Sequence, residues 1–125
     1  MNRRWQRYTE RNLLKLRLSD LALDLNAVLR KRVAKLNEEL AAKGLRFRPH
    51  YWLGEEWFTP DGVPGIAIPF YLAHPRLIKL ERKFMLEAEG ASEFECMRIL
   101  RHEAGHAIDN AYRLHRRKRW RELFG

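Results

Sequence analysis

At 125 residues the chain has the length of one modest domain, too short for two lobes closing around a cleft. Apolar residues make up 46% and charged residues 33%, with 4 Trp, 4 Tyr and 6 Phe spread along the sequence, which excludes wholesale disorder. The single cysteine, Cys96, excludes an internal disulfide framework and fits a reducing compartment, while a net charge of +9 makes a polyanionic partner such as nucleic acid feasible without identifying one.

The N-terminus, "MNRRWQRYTERNLLKLRL", is basic but lacks an uninterrupted apolar core and a small-residue cleavage site. No stretch elsewhere is long enough to span a bilayer. The expectation is a soluble, cytoplasmic protein of one domain, residues 1–125, with no membrane partner.

From Ser19 to Lys43, apolar residues recur at Leu21, Leu25, Val28, Leu29, Leu36 and Leu40 with charges between them. The spacing predicts a long amphipathic helix, with Ser19 as N-cap and Gly44 as its stop. Its leucines drift from heptad spacing, which favours core packing over a coiled-coil seam. "LRFRPHYW" (Leu45 to Trp52) alternates apolar and polar residues, and "GEEWFTPDGVPG" then signals turns. "IAIPFYL" (Ile66 to Leu72) is β-branched and aromatic, so a strand is expected; Pro69 assigns it to a sheet edge, because proline cannot donate to a ladder. "HPRLIKLERKFMLEAEG" begins like a helix and ends on a glycine stop. "SEFE" (Ser92 to Glu95) has the form of a capping box, so a further helix should start there and run past Tyr112, toward Trp120.

That last helix carries the chemistry. At 100° per residue, Met97, Leu100, Ala104, Ala107, Ile108, Ala111 and Leu114 fall on one face, while Glu95, His102, His106, Asp109 and Arg113 fall on the opposite line. In "HEAGH" two imidazoles at i and i+4 can converge on one ion. The residue after the first histidine is turned sideways, where its carboxylate reaches a metal-bound water. His102 and His106 are therefore the candidate Zn²⁺ ligands and Glu103 the candidate general base of peptide hydrolysis. The pattern fixes only three positions and also arises by chance in unrelated helices; its place in mid-helix, on the face away from the core, is the context that the chemistry requires.

A catalytic zinc takes a third protein ligand. Asp109 is nearest in angle, but it stands about 10 Å from His102 along a straight helix axis, too far to share an ion. It suits an acceptor that orients a histidine, or a partner of Arg113 at i+4. His50, His74, Glu55 and Glu56 lie upstream and are expected to be solvated.

"HEAGHAID" closely resembles the zinc helix of gluzincin metallopeptidases, including the anthrax lethal factor group. "WFTPDGVPGIAIPFYLAHPRL" and "ILRHEAGHAIDNAYRLHRRKRWRELFG" resemble a bacterial family of zinc-binding metallopeptidases. The resemblance implies that His102 and His106 bind zinc, that Glu103 is the general base, and that the third ligand is a glutamate on a later helix. The chain stops at Gly125, before such a helix could form, so the expectation is the N-terminal part of a longer enzyme, the alternatives being a partner that supplies the ligand or a loss of catalysis. In such peptidases the edge strand beside the zinc helix pairs with an extended substrate, which would make Ile66, Ala67 and Ile68 substrate-binding residues. An edge strand has free amides and carbonyls suited to this whatever its family, unless the chain's own loops cover it.

"RLHRRKRWR" (Arg113 to Arg121) is the densest basic run; with Trp120 it would suit phosphates and stacked bases, or be a solvated helix end. Cys96 has no partner for a C-x-x-C site and is expected to be a small buried hydrophobe. The expectation is an α+β, zincin-like half: a long N-terminal helix, a small sheet with an edge strand, and the Ser92 helix bearing the motif. Its leading function is zinc-dependent hydrolysis of a peptide or protein substrate. A basic nucleic-acid-binding module and a catalytically inactive scaffold for protein contacts are the alternatives. Substrate identity and oligomeric state are not legible.

Overall fold

The computed structural model describes residues 23–112. In chain order these form helix α1 (Ala27–Ala42), strand β1 (His50–Gly54), strand β2 (Gly65–Pro69), a 3₁₀ turn (Phe70–Ala73), helix α2 (Pro75–Met85) and helix α3 (Glu93–Tyr112). The α+β class holds. No described helix is long and apolar enough to cross a membrane.

Helix α1 starts seven residues later than the Ser19 cap predicts. Leu23 to Asn26 are not helical, and the Asn26 side chain accepts the Leu29 amide at 2.8 Å, ending the helix on the residue type best suited to do so. Ser19 itself lies outside the described residues. Leu29, Leu36 and Leu40 turn inward from α1, as its periodicity requires.

Strands β1 and β2 pair in parallel, with Tyr51 opposite Ile66 and Leu53 opposite Ile68. The chain between them crosses to the far side of β2 and returns antiparallel. There Ala67 donates to the Phe58 carbonyl at 2.7 Å, and Phe58 donates back at 3.3 Å. In this two-stranded sheet β2 has the edge position expected of it, but its open side is covered at Ala67 by an arm centred on Phe58. All five of its residues are buried, as expected of a strand covered on both faces. Gly65 is forced here, because a Cβ would come within 2.5 Å of the Trp52 ring and 3.0 Å of the His50 carbonyl. Pro69 is tolerated as the last residue of the strand, after which the chain tightens into the 3₁₀ turn.

Helix α2 starts at His74, whose Nδ1 accepts the Arg76 amide at 3.1 Å, with Pro75 at a first-turn position where no amide is needed. It ends at Met85 on Leu86, which takes the left-handed conformation, rather than running to Gly90. Ser92 caps α3 by accepting the Glu95 amide at 3.2 Å, the bond expected of its capping box. Cys96, Met97, Leu100, Ala104 and Ala107 bury one face of α3 against α1 and β2, joining Leu29, Leu36, Ile66, Ile68 and Leu72 in one core. Each fully buried Leu, Ile or Met there contributes about 1.5–3 kcal/mol relative to leaving it in water. Ala111 lies on the predicted buried face but is exposed, because the last turn of α3 runs past the core.

Candidate metal centre on α3

His102 and His106 both face solvent, on the side of α3 opposite the core. Their rings stand edge to face with centroids 5.0 Å apart, the neighbourhood that an i, i+4 spacing gives on a helix. The residues between them explain why the line is open: Ala104 is buried and Gly105 is exposed, with nothing within 4 Å of where its Cβ would be.

Glu103 is turned about 100° from His102, onto the flank where the arm of the sheet lies. There the Thr59 hydroxyl donates to its Oε2 at 2.5 Å and lies 3.4 Å from its own backbone carbonyl. Two turns on, Asn110 occupies the same flank, about 80° from His102. Its amide donates to the carbonyls of Pro60 at 3.0 Å and Val63 at 2.8 Å. Residues 59–63 are thus fastened along α3 at two levels, one of them the carboxylate between the histidines. Thr59 and Asn110 were not singled out from sequence. Asn110 was findable, since it lies on the Glu103 stripe at i+7; Thr59 was not, since only the fold brings it there.

Among the other predicted residues, Asp109 is half-buried. Arg113, its candidate partner, and the basic run to Arg121 lie outside the described residues. His74 is committed to capping α2, and burial holds its imidazole below the usual histidine value. His50, Glu55 and Glu56 are exposed. Ile66 and Ile68 are fully buried, and both backbone groups of Ala67 are taken by Phe58, so this stretch presents no open ladder at Ala67.

The two imidazoles fit two corners of a zinc site in chemistry and position. Among the described residues no group of three or more His, Cys, Asp or Glu side chains gathers to hold a metal, so these residues supply a two-histidine site and no third protein ligand. Cys96 is fully buried, which pushes its thiol pKa up and suits a core residue rather than a ligand.

No protein-family model, no curated protein and no solved structure matches the chain.

Proposed function

We propose that this chain is a zinc-dependent metallopeptidase, with His102 and His106 as metal ligands and Glu103 as general base. One observation carries the reading: two solvent-facing imidazoles, 5.0 Å apart, back onto a buried helix face, while the carboxylate between them is held on the flank. Two exposed histidines contribute nothing to the core, and a pair at this spacing is the donor set that a divalent ion selects.

Zinc supplies Lewis acidity when bound, polarising a peptide carbonyl and acidifying water. The chain's own residues do the rest. The imidazoles would hold the ion through their ring nitrogens. Glu103 accepts a proton from the attacking water and returns it to the departing amine.

Zinc content of the purified chain under chelator competition tests this, beside His102→Ala, His106→Ala and Glu103→Gln. The expected result is zinc lost in both histidine variants and kept in Glu103→Gln, with peptide hydrolysis abolished in all three. Zinc retained in both histidine variants, or never taken up, would overturn the reading.

A further inference from the structure

We infer that Thr59 is a positioning residue that aims the Glu103 carboxylate, so that the sheet's arm, and not α3 alone, sets where the base stands. The inference rests on the reading of His102, Glu103 and His106 given above.

A free glutamate on a helix surface samples several rotamers and loses side-chain entropy when it is fixed. A base that must meet one water gains from having this cost met before substrate arrives. Thr59 has one hydroxyl proton to give. Its two acceptors within reach are Glu103 Oε2 at 2.5 Å and the Glu103 carbonyl at 3.4 Å, and the shorter contact to the charged acceptor takes the proton. Holding Oε2 leaves Oε1 as the oxygen that receives a proton from water.

Thr59 can do this because its own backbone is fixed on both sides. Phe58 is bonded in both directions to Ala67 in the buried strand β2, and the Pro60 carbonyl accepts from Asn110. Threonine is also stiff at χ1, so a fixed backbone gives a fixed hydroxyl. Asn110 fastens the same arm to the same helix without touching Glu103. A tether whose sole purpose was to hold the arm would be redundant beside it.

The test uses Co²⁺ in place of zinc, because its visible absorption reports the groups and hydrogen bonds around the ion and needs no turnover. Spectra of wild type, Thr59→Val, Thr59→Ser, Glu103→Gln and Asn110→Ala are compared at equal loading, with thermal melts alongside. Thr59→Val is expected to move the spectrum in the direction of Glu103→Gln, and Thr59→Ser to restore it. Asn110→Ala, which loosens the arm but leaves the Thr59 hydroxyl in place, should lower the melting temperature and move the spectrum less than Thr59→Val does. In the zinc form, Thr59→Val should lower kcat about 10- to 100-fold, the usual effect of removing a group that orients active-site residues, with zinc affinity unchanged.

A Thr59→Val spectrum identical to wild type while Glu103→Gln differs would overturn the inference and leave the metal reading standing. Should Thr59→Val not fold, a Thr59→Ser spectrum and kcat at wild type support it, and a Thr59→Ser spectrum matching Glu103→Gln overturns it. Cobalt uptake indifferent to His102→Ala and His106→Ala would overturn the metal reading and this inference together.

Discussion

Arg101 grips Glu39 with two nitrogens, Nε to Oε1 at 2.8 Å and Nη2 to Oε2 at 2.9 Å, tying α3 to α1 one residue before His102 and across 62 residues of chain. A two-pronged guanidinium–carboxylate pair fixes direction as well as distance, which lysine in the same place would not do. The Arg101 guanidinium holds the Glu39 carboxyl below its ordinary value. The pair's stabilisation is therefore complete above the unfolded carboxyl's pKa and lost as pH falls through the lower folded one. In melts from pH 7 down to pH 3, Glu39→Gln should lie below wild type at neutral pH and converge with it in acid. Because the pair is solvent-facing, high salt should narrow the same gap.

The imidazole of His74 caps α2 by accepting an amide at Nδ1, and a protonated ring cannot accept. Burial, with Arg76 nearby, lowers its folded pKa below the ordinary histidine value. The fold therefore prefers the neutral ring, and the cap contributes fully above an unfolded pKa of about 6.5, fading as pH drops through the folded value. Acid should thus weaken the start of α2 in wild type. His74→Asn, which caps without titrating, should lose this part of the pH dependence, while His74→Ala should cost about 1 kcal/mol at pH 8. Urea denaturation at pH 5 and pH 8 reads both effects.

Gly105 is an exposed glycine inside a helix, with an ordinary helical backbone and open space beyond its Cα. Gly105→Ala should stabilise the chain by about 0.5–1 kcal/mol, measured by denaturant midpoint. If the space between the histidines receives substrate, the same methyl should raise KM for peptide hydrolysis while zinc affinity stays unchanged.

Asn110 satisfies two loop carbonyls with one amide group. Asn110→Ala should cost about 1–3 kcal/mol, since the Pro60 and Val63 carbonyls lose their donor. Hydrogen exchange should then rise at Val63, whose amide bonds the Pro60 carbonyl across the turn, and stay low in β2.

How much of this was legible in the sequence follows from the range of the interactions involved. The α3 cap at Ser92 and the split between its buried and open faces depend on residues three to seven apart, and local pattern sufficed. The start of α1 was misplaced because Ser19 and Asn26 are both good caps and the leucine spacing continues upstream of Asn26. The choice was made by geometry, with the Asn26 amide also donating to the Leu72 carbonyl at 3.2 Å, 46 residues away. The arm at Phe58 could not be read at all: "WFTPD" has no alternation to mark a strand, and its pairing with Ala67 is a single bridge. The cover over the edge of β2, and with it Thr59 as the arm's contact with Glu103, is therefore not legible in the sequence.

The order in which β2 acquires its neighbours has a kinetic consequence. Phe58 and Ala67 are nine residues apart, whereas the parallel partners His50 and Gly65 are fifteen apart and must come together without a hairpin turn between them. Closing the shorter loop costs less entropy, so the expected order is the arm with β2 first and β1 docking later. Mutations that weaken the Phe58 bridge should therefore slow folding, and those confined to β1 should mainly hasten unfolding. On that order the segment that reaches Glu103 is in place before β1 docks.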